Sequence, residues 1–201
     1  MGRALLRLAA GDPGLHVVAA VSGGTDAGDD AAGMPVLALC VARGRPLVSG
    51  TTGLAPAQHA ALDRAAAAIA VLWAANFSAG VAVMEALVRQ AAAALPDWDA
   101  DIVETHHVHK QDAPSGTALQ LGAALAAGRG RPPHYASLRA GDVVGEHLVQ
   151  FTGHGERLEL VHRATDRDIF ARGALLAARR LAGRPPGRHA FGELLLATAD
   201  A

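Results

Sequence analysis

The chain has 201 residues, 51% hydrophobic and 18% charged, with 18 basic and 19 acidic side chains and a formal net charge of -1. This is enough apolar material for one or two packed domains and too much for a disordered segment. The balanced charge, with no basic block or interleaved aromatics, argues against a nucleic-acid partner. Apolar runs broken by Arg, Asp or Pro well short of about 20 residues argue against a membrane span.

The opening "MGRALLRLAAGD" lacks the long apolar region and cleavage site of a signal peptide, and the single cysteine, Cys40, can form no internal disulfide. The expectation is a cytoplasmic protein. "ALLRLAA" predicts a helix that stops at Gly11, and "LHVVAAVS", residues 15 to 22, predicts a strand that runs into the turn-forming "GGTDAGDD". "LALCVARG" reads as a helix closed by Gly44, with Cys40 as a small buried hydrophobe. "PLVSG" follows as a strand opening into "TTGL". "APAQHAALDRAAAAI" and "AVLWAANF" supply the next helix and strand. Such alternation predicts an α/β layer with a parallel sheet, whose ligands sit at the carboxyl ends of the strands.

The character then changes. A long helix, "SAGVAVMEALVRQAAAAL", leads into "DADIVETHH", a strand whose alternation puts Ile102 and Glu104 on one face and Val103 on the other. After a helix "SGTALQLGAALAAG" come "RPPHYASLR", "GEHLVQFTG" and "GERLELVHRAT", read as antiparallel, the last two joined as a hairpin at His154-Gly155. Two helices, "RDIFARGALLAARRLAG" and "AFGELLLA", close the chain, split by "RPPGRH".

One stretch concentrates the reactive groups: "ETHHVHKQDAPSGTAL", residues 104 to 119. Lys110 is the only lysine, against 17 arginines, so this chain does not use lysine for plain positive charge. Ser115 is an N-cap candidate behind Pro114, which puts the backbone N–H groups of Gly116 and Thr117 at a helix start, where a carboxylate or phosphate is commonly held. The imidazoles beside them exchange protons near neutral pH, and an ammonium, unlike a guanidinium, loses its proton when desolvated. The combination suits a dicarboxylate and acid/base chemistry. Three imidazoles within four residues of extended backbone do not converge on one ion, and no cysteine or clear carboxylate completes the set, so no metal is expected.

The same stretch resembles the E-x-H-H-x-x-K-x-D-A-P-S-G-T-A signature of the 4-hydroxy-tetrahydrodipicolinate (dihydrodipicolinate) reductase family. "GTTG" at Gly50, "AANFS" at Ala74, "RAGDVVGEH" at Arg139 and "GERLELVHRATDRDIFARGA" at Gly155 are similar to further family segments, in the same order. The resemblance implies that His106 is a proton donor and acceptor, that Lys110 is a second proton donor, and that His107 contacts substrate. It also implies that Gly116 and Thr117 cradle a substrate carboxylate. Met1, Gly50, Thr51, Thr52, Ala74, Ala75, Asn76 and Phe77 are implied to lie along the cofactor, NADPH or NADH. The implied activity is reduction of the cyclic dicarboxylate 4-hydroxy-tetrahydrodipicolinate to tetrahydrodipicolinate, in diaminopimelate and lysine biosynthesis, by a homotetramer joined through the substrate domain's sheet.

The chain departs from that pattern in places. "MGRALL" resembles only the tail of the family's glycine-rich turn, and the strand before that turn has no counterpart. A further strand of the family, one that contributes to the cofactor cleft, has no counterpart between Met34-Pro35-Val36 and Leu37, and a milder shortening precedes Arg139. "LHVVAAVS" ends at Ser22-Gly23, where relatives carry an acidic residue for the ribose hydroxyls, which leaves the choice between NADH and NADPH open. The expected fold is therefore α/β: a truncated Rossmann-like dinucleotide-binding domain, residues 1–77 and 167–201, with an α+β substrate and tetramerisation domain, residues 78–166, built on a mixed or antiparallel sheet. The alternative function is a non-catalytic oligomeric remnant that keeps the dicarboxylate site and cannot hold the nucleotide.

Overall fold

The structure is a computed structural model that describes residues 1–17 and 35–197, and its chain divides into two compact units, Met1–Phe77 with Phe170–Ala201, and Ser78–Ile169. The expected strand at residues 15 to 22 lies mostly outside the described residues, as does Ser22.

In the first unit, helix α1 (Gly2–Ala10) turns Leu5, Leu8 and Ala9 inward and ends at Gly11. Helix α2 (Pro35–Ala42) begins on a proline, whose fixed φ suits a first helical turn, and runs unbroken through the Val36–Leu37 junction. Strand β1 (Leu47–Ser49), helix α3 (Pro56–Ala66) and strand β2 (Ala70–Trp73) follow. The Gln58 carboxamide oxygen accepts the Ala55 backbone N–H at 2.8 Å, satisfying a donor at the start of α3. Leu37, Leu47, Leu62, Ala65, Ala66, Ile69 and Val71 form one core, with half-buried Cys40 packed against it. Burial raises the Cys40 thiol pKa. β1 and β2 pair in parallel, as the helix–strand alternation predicts.

In the second unit, helix α4 (Ala79–Ala94) is capped by Ser78, whose hydroxyl accepts the Val81 N–H at 3.3 Å. Strand β3 (Asp99–His106) alternates as expected, burying Ala100, Ile102, Glu104 and His106. Helix α5 (Gly116–Arg129) ends at Gly130, whose φ of 75° is the left-handed closure that glycine accepts without strain. Strands β4 (His134–Arg139), β5 (Gly145–Thr152) and β6 (Arg157–Ala164) complete a sheet of order β4-β3-β5-β6. β5 and β6 are the expected antiparallel hairpin, turning at Gly155 with a φ of 82°. β4, in contrast, runs parallel to β3. The physical reason is α5, a crossover long enough to return the chain to the same end of the sheet. Met84, Val88 and Ala92 of α4, one turn apart, meet Leu121 and Leu125 of α5 over Ile102, Val149 and Phe151.

Helix α6 (Asp168–Leu181) carries the boundary between the units at Ile169/Phe170. "RPPGRH", read from sequence only as a break between helices, contains a strand, β7 (Gly187–His189), parallel to β2, before helix α7 (Phe191–Leu196). Three residues carry no alternation to read. The strand exists because Ala70–Leu72 pairs with it, giving the order β1-β2-β7.

Candidate active site

Strand registers place the inward-facing side chains of the second unit in rows. Tyr135, Ile102, Val149 and Leu160 make an apolar row across all four strands. The next row is polar: Ser137, Glu104, His147 and His162. The row beyond holds Arg139, His106, Gly145 and Ala164. Both helix N-caps meet the polar row, with Ser115 Oγ 3.1 Å from His147 Nε2 and Ser78 Oγ 3.3 Å from His162 Nε2. The two buried members of this row, Glu104 and His147, are stable there only where they find partners, and Ser115 supplies one to each.

Glu104 lies at the middle of this arrangement with no exposed surface. Its Oε1 accepts Arg139 Nη2 at 3.0 Å and the Ser115 backbone N–H at 3.3 Å, while Oε2 accepts Arg139 Nη1 at 3.1 Å and a bond from His106 Nδ1. Burial alone would raise the Glu104 carboxyl, but hydrogen bonds from Arg139, Ser137 and His106 outweigh it and hold the group below its ordinary range. His106 is lowered, chiefly by burial; Glu104 works against the shift, and Lys110 and Arg139 add to it. His106 is thus neutral at neutral pH. Among the described residues no hydrogen bond reaches its Nε2, and a side chain on Gly145 would come within 3.0 Å of that atom.

Lys110 leaves the strand on a turn closed by its own N–H on the His107 carbonyl at 3.1 Å. Its Nζ donates to Asp112 Oδ1 at 2.7 Å. That ammonium, with a hydrogen bond from the Gly116 backbone, holds the Asp112 carboxyl below its ordinary range. The N-terminus of α5 is therefore met by the chain's own carboxylate. Gly116 is exposed, with nothing within 4 Å of where a Cβ would stand, and Thr117 is half-buried behind it. His107 is half-buried, with its ring 6.3 Å from that of His109. His106 faces inward to Glu104, so the three histidines of "HHVH" point to different surroundings, and among the described residues no group of three metal-ligating side chains forms.

Burial pushes His147 down to about 4, with neighbouring His106 adding to the shift. A depressed histidine leaves the unfolded chain holding more protons than the folded one between that value and the ordinary 6.5. The sign is a loss of stability as pH falls through this window, by up to about 3 kcal/mol from His147. Urea unfolding at about pH 7 and about pH 4.5 checks this, with His147→Asn expected to flatten the dependence.

In the first unit the expected cofactor residues fall into two neighbouring loops at the carboxyl ends of β1 and β2. The Ala74 N–H donates to the Ser49 carbonyl at 3.1 Å, and Trp73 Nε1 donates to the Thr51 carbonyl at 2.8 Å. A Cβ on Gly50 would stand 3.1 Å from the Phe77 ring, so glycine lets the two loops close on each other. Gly50, Thr51 and Thr52 are thereby brought beside Ala74, Ala75, Asn76 and Phe77. Met1 is the exposed N-cap of α1, and among the described residues no hydrogen bond ties it to either loop.

Residues 80–195 match the family model described as dihydrodipicolinate reductase, C-terminus, and residues 25–77 match dihydrodipicolinate reductase, N-terminus. The chain belongs to the dihydrodipicolinate reductase family. A 4-hydroxy-tetrahydrodipicolinate reductase of Xanthomonas campestris pv. campestris (strain B100) is 58% identical over 223 aligned positions, covering 98% of this chain and 93% of that protein. The reductase of Xylella fastidiosa (strain 9a5c) is 53% identical over 98% of this chain and 94% of its own. These alignments are longer than the 201 residues of the chain, so the relatives carry internal segments that this reductase-family member lacks. The structure of a dipicolinate-bound dihydrodipicolinate reductase from Paenisporosarcina sp. TG-14 superposes with a TM-score of 0.67 at 24% identity, over 80% of this chain and 68% of that one, and shares the fold.

The sequence points to His106, His107, Lys110, Gly116 and Thr117, and to Ser115 as the cap, but it gives no role to Glu104 beyond a strand position in the signature, nor to Arg139 and His147, which flank it on β4 and β5. For Glu104 a signal existed: a carboxylate on the strand face that also carries Ile102 requires a buried partner.

Proposed function

We propose that this protein reduces 4-hydroxy-tetrahydrodipicolinate to tetrahydrodipicolinate with NADPH or NADH, in diaminopimelate and lysine biosynthesis. The observation that carries the reading is an inward-held His106 four residues before Lys110, whose partner Asp112 covers the N-terminus of α5, in a chain 58% identical to reductases of that name. Membership of the family supports the activity and the nucleotide.

Each residue has a role in this proposal. One substrate carboxylate meets the backbone N–H groups of Gly116 and Thr117, displacing the Asp112 side chain that now lies there. Displacement frees Lys110, whose ammonium then faces the substrate and supplies a proton as the ring is reduced. His106 takes and returns a proton through Nε2, and His107 contacts the substrate from the same loop. Bound nucleotide would supply the hydride, and the 4-hydroxyl group leaves as water, so that the hydride, the Lys110 proton and the lost water account for the change from substrate to product. The paired loops at Gly50–Thr52 and Ala74–Phe77 fit its nicotinamide end, since they stand side by side at the carboxyl ends of parallel strands, the usual ligand position in such sheets. Met1 is assigned to the same cofactor on the resemblance of its surroundings alone. Unit Met1–Phe77 with Phe170–Ala201 is taken as the nucleotide domain and Ser78–Ile169 as the substrate domain.

The outer face of the second sheet supports assembly. Ala136, Val103, Leu148 and Val161 form an apolar row across its four strands, with Val161 44% and nearby Leu138 49% exposed. We assign this face to a homotetramer, and a cytoplasmic location follows from the nucleotide and substrate. Sedimentation at micromolar concentration tests it: a monomer contradicts the assembly. Calorimetry with NADPH, NADH and pyridine-2,6-dicarboxylate tests the site. Binding of a nucleotide and of the dicarboxylate is expected, and binding of the dicarboxylate alone would instead support the non-catalytic remnant.

A further inference from the structure

We propose that Glu104 and Arg139 are positioning residues for His106, a buried charge-neutral pair that turns Nδ1 of the imidazole into the sheet and leaves Nε2 for the substrate. The proposal rests on the reading of His106 as the proton-handling group.

A fully buried carboxylate is an expensive choice where Ile102 and Val149 show that apolar side chains fill the next row of the same face. Arg139 neutralises it through two parallel N–H···O bonds, the geometry that a guanidinium and a carboxylate share. The Ser115 N–H takes a further lone pair. What the pair then offers is one fixed acceptor to His106 Nδ1, which sets the tautomer with the proton on Nδ1. The same guanidinium donates from Nε to the Lys110 carbonyl at 3.2 Å and from Nη2 to the Asp112 carbonyl at 2.5 Å. One side chain on β4 therefore fixes His106 through Glu104 and the backbone of the Lys110 loop directly. Gly145 on β5 completes the setting, because any larger residue would press on Nε2.

The groups facing His106 are Glu104 on its own strand, Arg139 on β4, Lys110 with its partner Asp112 on the following loop, and His147 on β5, whose ring centroid lies 5.2 Å away. From α5 the nearest contribution is the uncharged Ser115. With Glu104 and Arg139 cancelling each other, removing either one exposes the other's charge to the imidazole.

The test is an NMR titration of the His106 ring in the ligand-free protein, in wild type, Glu104→Gln and Arg139→Met, alongside pH profiles of kcat. Glu104→Gln leaves the guanidinium unopposed, and His106 is expected to titrate lower; Arg139→Met leaves the carboxylate unopposed, and His106 is expected to titrate higher, each by roughly one pH unit. The acidic limb of kcat should move with each, and kcat should fall roughly 10²-fold or more in Glu104→Gln. Arg139→Lys should recover part of the wild-type titration. Shifts of the same sign in the two single variants, or no shift in folded protein, would overturn the proposal.

Should a single variant fail to fold, the double variant Glu104→Met with Arg139→Met removes both charges together and replaces a buried pair by apolar groups. Its ring nitrogen shifts should report a mixture of tautomers, with kcat lowered at least about tenfold and KM little changed. A single Nδ1–H tautomer with full kcat would overturn the proposal. Because the titration reads no turnover, opposite shifts in a protein that does not oxidise NADPH would leave the positioning pair standing and remove the reductase reading alone.

Discussion

Lys110→Arg lowers kcat by at least about 10²-fold while the protein keeps its fold and its melting temperature. The charge is retained, so binding of an anionic substrate loses little. What is lost is the ability to give up a proton, since a guanidinium stays charged at any working pH. The side chain is 21% exposed and its Nζ pairs with the exposed carboxylate of Asp112, an ion pair in reach of solvent that contributes little to stability. Lys110 is also the sole lysine, so chemical modification of lysine side chains reports on this one position. Steady-state kinetics with a melting curve decides the matter. Full kcat in the arginine variant would show that position 110 supplies only charge.

Gly173→Ala should have the largest effect on stability. A Cβ at 173 would stand 1.7 Å from the Phe77 carbonyl oxygen, which is backbone and cannot rotate away. Helix α6 would have to move off the loop that ends at Phe77, whose ring packs, tilted by 54°, with its centroid 5.3 Å from that of Phe191. Overpacking of this kind costs about 3 kcal/mol, and a melting temperature lower by roughly 10 °C is expected. Because Phe77 closes the loop assigned to the nicotinamide, nucleotide affinity should fall with it. Gly2→Ala, in open space on α1, is the control and should lose no stability. Equal melting temperatures for the two variants would contradict the packing described here.

The parts of the fold that were legible are those in which local sequence decides. Ser115 caps α5 because a serine before a glycine and an apolar run accepts the N–H three residues on, and the alternation of "DADIVETHH" puts Ile102 and Glu104 on one face. The parallel course of β4 was legible in principle, since α5 between two strands is a crossover, but nothing within "HYASLR" states a direction. β7 was not legible at all: Gly187, Arg188 and His189 become a strand only by meeting Ala70, Val71 and Leu72.

The site shows the same division. His106, Lys110, Gly116 and Thr117 lie within twelve residues of one another and share one motif. Arg139 joins Glu104 from 35 positions away and His147 joins Ser115 from 32, contacts fixed by how β4, β5 and the start of α5 meet β3 rather than by neighbouring residues. Asp112 was part of the motif, yet its place against Lys110 and the Gly116 backbone depends on how the loop folds over the helix end.

The reductase activity is tested most directly by the oxidation of NADPH and NADH by the purified chain in the presence of freshly generated 4-hydroxy-tetrahydrodipicolinate. Substrate-dependent oxidation of at least one nucleotide is expected, competitively inhibited by pyridine-2,6-dicarboxylate and lost in Lys110→Arg. A folded chain that binds pyridine-2,6-dicarboxylate and oxidises neither nucleotide would contradict it.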